Sequence, residues 1–265
     1  MRLARLILLC FGSFLVSLPL VAQQAVQRDP QALTVLSQYV QASGGLQAVT
    51  ATQDCTESGN VTFNWAGRQV QGTVVTKGRG ATQFRMDSQT AEGNQTWIVD
   101  GLSGIVVTVD GQTHNLAPYN LKNAGSVTLP VIRIAAALNN PTTSIRYMGQ
   151  VTENGDLTYQ IRLVPPVEKG LAVISRLDGP GIIDLFLDSA TYQLVAEVET
   201  LHGDRNVTQT YSKEIDFSNY QPRNGIVVPL TVVEKVSGQQ TWSITLGNVT
   251  FNTGLSDADF ATSAQ

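Results

Sequence analysis

GIIDLFLD (181–188), YQLVAEVETL (192–201), NVTQTYSKEIDF (206–217), IVVPLTVVEKV (226–236) and QTWSITLGNVTF (240–251) follow one another with only short turns between them. These turns are His202-Gly203-Asp204, Gly225 and Ser237-Gly238, with a brief break after Asp188. Period-two alternation of apolar and polar residues marks half-buried strands. In the second segment Tyr192, Leu194, Ala196 and Val198 share a face, so Gln193, Glu197 and Glu199 are expected to face solvent. In the third, Val207, Tyr211, Ile215 and Phe217 oppose a polar set that includes Glu214 and Asp216. In the fifth, Trp242, Ile244 and Leu246 line one face, and the phase flips at Gly247-Asn248 so that Val249 and Phe251 continue it. A phase flip at a glycine predicts a β-bulge. The whole is an antiparallel meander with one polar and one apolar face, and the apolar face must be covered.

Working outward, the first half of the chain repeats the pattern. Val61–Trp65 turns at Ala66-Gly67 into Arg68–Thr76, and Ala81–Ser88 and Thr96–Val99 follow. Ile105–Val109 meets Asp110-Gly111, a two-residue hairpin signal, and Thr113–Leu116 pairs back. Between the halves lies LPVIRIAAAL (129–138), opened by a proline and ended by Asn139-Asn140-Pro141, the pattern of a short helix. Val131, Ile134, Ala135 and Leu138 form its stripe and Arg133 is its one charge, so most of it should be buried. Ser144–Gln150 and Leu157–Leu163 come next, and Leu171–Leu177 is either a strand or a loop. Upstream, Asp29-Pro30 opens an amphipathic helix with Leu33, Leu36, Tyr39 and Val40 on one face, stopped by Gly44-Gly45. The tail from Ser256 reads as loosely attached apart from Phe260. No repeat or low-complexity linker divides the 265 residues.

Composition narrows the function classes. A chain with 42% hydrophobic and 14% charged residues and a formal charge of −4 is globular. It has no Lys/Arg cluster, which argues against nucleic acid and against docking on an anionic lipid surface. Arg2 and Arg5 precede the apolar run Leu6–Leu20, and Leu20-Val21-Ala22 offers a cleavage site. Residues 1–22 therefore read as a signal peptide, and residues 23–265 as a single exported domain. Cys55 is then the one mature cysteine, read as buried and inert. Four Asn-x-Thr triplets, at Asn60, Asn94, Asn206 and Asn248, read as chance matches on polar strand faces.

The order of these features resembles that of the LolA/LolB-like outer-membrane-lipoprotein carrier superfamily, in particular its exported bacterial members. The likeness rests on a helix ending in Ala42-Ser43-Gly44-Gly45-Leu46, on strands carrying Gly59, Phe63 and Arg85, and on the apolar segment after Leu129-Pro130. It continues through Asp188–Val195, Tyr211–Phe217, Gly225–Pro229 and Ile244–Val249 to Asp257–Phe260. The resemblance implies a mainly β (α+β) fold: one highly curved antiparallel sheet, a half-open barrel of about eleven strands. The N-terminal helix and the short apolar helix would lie on its concave face. It also implies a periplasmic, non-catalytic carrier without a cofactor, holding a lipid, a lipoprotein acyl chain or another hydrophobic ligand as a monomer. Neither the arginine-containing site nor the protruding hydrophobic loop of the best-known members has a match in this sequence. The alternative is a structural or scaffold protein of the cell envelope that binds a protein partner and has no ligand cavity.

Candidate site residues follow from the same strands. Trp65, Phe84, Trp97, Phe186, Tyr192, Tyr211 and Trp242 sit where they would line or flank a concavity, and Ile134 and Leu138 would face it from the short helix. Ordinary core packing is the competing role for all of them. Arg133 either reaches solvent along its stem or meets a ligand carboxylate or phosphate. Constellations for catalysis are missing. His114 and His202 have no ligand-spaced partners and read as exposed turn residues, and no nucleophile elbow, zinc helix or phosphate loop is present. Asp184 and Asp188 lie about 13 Å apart along a strand, too far for a working carboxylate pair. An outer-membrane barrel is disfavoured by the two intervening helices and by the missing aromatic girdles.

Overall fold

A computed structural model describes residues 26–65, 67–125, 127–166, 181–204 and 206–262. The signal-peptide segment 1–22 and the ambiguous stretch Leu171–Leu177 lie outside the described residues. Among these, thirteen antiparallel strands form one sheet that does not close into a barrel. They are β1 Asp54–Trp65, β2 Arg68–Arg79, β3 Gln83–Thr90, β4 Gly93–Asp100, β5 Ser103–Val107, β6 Thr113–Asn115, β7 Ser144–Glu153, β8 Asp156–Val164, β9 Ile183–Asp188, β10 Leu194–His202, β11 Thr210–Arg223, β12 Ile226–Val236 and β13 Gln239–Phe251. The segments with alternating sequence each become a strand, and the number exceeds the eleven that the resemblance implied.

Strand order explains the shape. The sheet runs β6-β5-β4-β3-β2-β1-β13-β12-β11-β10-β9-β8-β7, so the last strand pairs with the first at its centre. Its two edges, β6 and β7, are neighbours in sequence, and the connection between them has to cross the concave face. That connection carries α3 (Pro130–Asn139). A second crossing comes from the N-terminal side. Residues 27–29 pair with Ile145 of the β7 edge, and α1 (Pro30–Ala42) and α2 (Leu46–Ala51) then lead to the central β1.

Both long helices bury their apolar stripes, with Leu36, Tyr39 and Val40 of α1 and Val131, Ile134 and Ala135 of α3 in one core with the inward strand residues. The Arg28 guanidinium joins the two crossings, donating to the α3 C-terminal carbonyls of Leu138 (2.7 Å) and Asn140 (2.8 Å). Gly44, at φ +121°, ends α1 against the β11–β12 turn. A Cβ there would lie 2.2 Å from the Gly225 carbonyl oxygen, so no larger residue fits.

Several expectations need correction. The bulge at Gly247 is present, since Ser58 pairs with Asn248 and Gly59 with Leu246. A second bulge at Val195 gives no glycine signal: Leu194 pairs with Leu187 and Ala196 with Phe186. It flips the phase of β10, so Glu197 and Glu199 turn into the concave face, where Glu197 is 3% exposed. Tyr192 precedes this strand in a turn, at φ +60°, and does not share its face. The Asp110 turn is a five-residue loop because Asp110 accepts from the Thr108 hydroxyl (2.6 Å) and the Gln112 amide, closing the chain on itself. Likewise Asn206 accepts from the Thr208 hydroxyl, and β11 starts only at Thr210. The tail is anchored, not loose. Asp259 pairs with Lys77 (2.7 Å), Asp257 pairs with Arg79, and Phe260 is fully buried.

Candidate ligand-binding cavity

Every tryptophan of the chain lines one cavity. Trp65 at the end of β1, Trp97 in β4 and Trp242 in β13 wall a space of about 420 Å³, with Phe63, Val99 and Leu116. Parity on the sheet brings them together. Trp65 follows Phe63 by two residues and stacks on it at 5.2 Å, and Phe63 pairs with Trp242 in the neighbouring strand. The cavity lies at the end of the sheet away from the C-terminus of α1, and no residue of α1, α2 or α3 lines it.

A strap from Leu116 to Ala124 covers it instead. The strap is tied to the end of β10: the Asn120 side chain donates to the His202 carbonyl (2.8 Å) and accepts from the His202 amide (2.9 Å). His202 itself is buried, contrary to the expectation of an exposed turn, because the strap closes over it. Its Nδ1 lies 2.8 Å from the Val207 carbonyl oxygen, and Tyr119 meets its ring edge-on. His114 is exposed on β6.

Charged residues form the floor between this cavity and the helices. Lys213 donates to Glu199 at 2.8 Å, Arg133 pairs with Glu197, and Asn123 joins the pairs by donating to Glu199 (2.8 Å) and accepting from Arg133 at its carbonyl. Burial works to raise the Glu199 carboxyl, but the Lys213 ammonium, the Asn123 amide and the Arg133 guanidinium together outweigh it and hold the group below its usual range. For Glu197 burial wins over Arg133, and its carboxyl is raised. The Arg133 guanidinium thus meets an internal carboxylate rather than reaching solvent. Two signals bear on this cluster. Lys213 shares the parity of Tyr211, Ile215 and Phe217, so alternation alone marks it as inward, whereas Glu197 and Glu199 are hidden by the Val195 bulge.

The remaining candidates scatter. Arg133 lines a second cavity, of about 360 Å³, on the α3 side of the strap, with Leu121 shared between the two. Phe84 and Ile134 are buried in the core, and Leu138 packs partly against it. Phe186 lies on the opposite face from Leu185 and Leu187. Tyr192 stacks on Tyr159 at 5.9 Å near the β7 edge, and Tyr211 is 36% exposed. Asp184 accepts from Nε and Nη2 of Arg162, and Asp188 organises the following turn. Cys55 is buried, which pushes its thiol well up. Among the described residues no three His, Cys, Asp or Glu side chains converge as metal ligands, and no helix is long and apolar enough to cross a membrane.

No protein-family model matches the chain, and no curated protein matches it. Solved structures do. A LolA superfamily protein from Nitrosomonas europaea superposes with a TM-score of 0.52 at 10% identity, over 87% of this chain and 97% of that one. The chain has a LolA-like fold. A DUF1329 family protein from Desulfovibrio piger gives 0.52 at 12% identity, over 89% and 98% of the two chains. A domain provisionally described as an outer membrane lipoprotein-sorting protein, from Vibrio parahaemolyticus, gives 0.51 at 10%, over 87% and 96%. At such identities the likeness is one of fold.

Proposed function

We propose that this protein is an exported, periplasmic, non-catalytic carrier that holds a hydrophobic ligand, such as a lipid or a lipoprotein acyl chain, in the tryptophan-walled cavity. The observation that carries the proposal is that cavity, walled by all three tryptophans of the chain. Its volume of about 420 Å³ falls within the ~300–1,000 Å³ of small-molecule sites. Moving an acyl chain into it is favoured by about 0.8 kcal/mol per buried CH₂. Solved structures of the same fold include a LolA superfamily protein and a domain described by lipoprotein sorting, which agrees with such a role.

A scaffold role for a protein partner has one observation in its favour: the chain's own helices pack into much of the concave face, with Tyr39 1% exposed and Ile134 fully buried. Native mass spectrometry of the chain from residue 23, purified gently from its envelope, separates the two. An adduct of lipid mass that disappears in Ala117→Trp, which fills the cavity from the strap, supports the carrier. A clean unliganded mass together with no uptake of a pyrene-labelled acyl probe overturns it and favours the scaffold.

A further inference from the structure

The strap is fastened to a residue with a buried titratable ring. His202 is 4% exposed, and its Nδ1 lies 2.8 Å from the Val207 carbonyl oxygen. A carbonyl can only accept, so Nδ1 carries the hydrogen of the neutral ring and Nε2 keeps a bare lone pair. Nε2 is buried and has no hydrogen-bond partner among the described residues. It is the position that the next proton must take, and under the closed strap that proton meets no acceptor. A charged donor buried without a partner is unfavourable, whereas an imidazolium in water is hydrated.

The same residue pins the strap. Asn120 is held by the His202 amide and carbonyl together, and the Tyr119 hydroxyl donates to the next carbonyl, Gly203, at 3.2 Å. The Tyr119 ring stands 6.0 Å from the imidazole and nearly perpendicular to it. Charged and titratable groups approach from three elements. The strap brings Tyr119 and Lys122, the turn after β10 brings Asp204, and β11 brings Lys213, paired with Glu199 of β10. None of them hydrogen-bonds the ring: Lys122 donates to the Pro166 carbonyl (2.9 Å), the Tyr119 hydroxyl is taken by Gly203, and Asp204 lines the cavity. From this arrangement we infer that His202 is a proton-operated latch. At neutral pH the strap is closed over the tryptophan cavity, and protonation of Nε2 releases it. The open strap binds the proton more readily than the closed one, so acid favours opening. The latch is a property of the strap and holds whatever the cavity binds.

Hydrogen exchange of residues 116–124 in the intact protein tests it, after correction for the intrinsic pH dependence of amide exchange. An opening linked to one proton gains about tenfold per pH unit below the ordinary histidine value of about 6.5. The strap should therefore exchange roughly tenfold faster at pH 5 than at pH 6. Residues 131–138 of α3 should change little, and acrylamide should quench the tryptophans more strongly at the lower pH. His202→Asn keeps a donor for the Val207 carbonyl but cannot take the proton, so its strap should exchange equally fast at both pH values. Glu57 and Glu197 are buried acids with raised carboxyls, and a pH response that survives in His202→Asn belongs to such groups and overturns the latch. So does a parent strap that ignores pH, or one that loosens only together with α3. Asn120→Ala unfastens the strap without touching the ring and checks the latch independently. Fast exchange of its strap at both pH values supports the latch, and slow exchange shows that Asn120 does not hold the strap and overturns it.

Discussion

The two ends of the concave face use the same kind of strand and are finished differently. At one end α1, α2 and α3 press Leu36, Tyr39, Val49 and Ile134 into the sheet until each is 1% exposed or less. At the other end three tryptophans and a strap stand around an open space. Between them runs the buried cluster of Arg133, Glu197, Glu199 and Lys213. The contrast teaches that helix packing closes one end of the face, while at the other end aromatic strand residues and a strap enclose a space. The charged row marks the boundary between the two.

The largest effect is expected from breaking that boundary. Arg133→Met leaves the Glu197 carboxylate buried without its counter-ion and should cost about 3–5 kcal/mol, read by denaturant unfolding. The double variant Arg133→Met/Glu197→Met should recover most of this loss. Additive losses would show that the two groups do not act as a pair.

A smaller effect separates the two ends. Ile134→Ala, in the packed end, should cost about 3 kcal/mol, whereas Leu116→Ala, in the strap, should cost under about 1 kcal/mol because its site is only half-buried. Equal costs would mean that the strap is packed as tightly as α3 and that the cavity is not free space.

The smallest effect concerns Glu57, an acid of the packed end that pairs with no cation among the described residues. Burial raises its carboxyl, partly offset by the hydroxyls of Thr128 and of Thr76, the latter donating to it at 2.6 Å. A raised value in the folded state means that the folded protein holds the proton more tightly than the unfolded chain does. This contribution is complete below the ordinary glutamate range and is lost as pH rises through the raised value. Glu57→Gln is always neutral, so its melting temperature relative to the parent should climb as pH rises above the ordinary glutamate range and level off once the folded-state carboxyl ionises. A difference that stays flat with pH would show that Glu57 is already ionised in the fold.

How far the sequence could be read differs between the same regions. The meander, the helix with its Gly44-Gly45 stop, the apolar helix and the Gly247 bulge were all legible, because each is written in local periodicity or in a residue with special backbone freedom. The inward turn of Glu197 and Glu199 was not. Val195 is an ordinary strand residue, and a one-residue slip at such a position moves every following side chain to the other face. The burial of His202 and the anchoring of the tail were hidden for another reason, since both depend on partners far along the chain, Asn120 in one case and Lys77 and Arg79 in the other.

By itself, then, the amino-acid sequence determined the elements: alternation specifies strands, and a proline-opened apolar stripe specifies a helix that must be buried. Tertiary structure decided which strand face looks inward along β10, that both crossings gather at one end, and that three tryptophans distant in sequence wall the other. Local pattern sets the conformation of a segment, but pairing register and the path of a connection are set only when segments compete for the same apolar face.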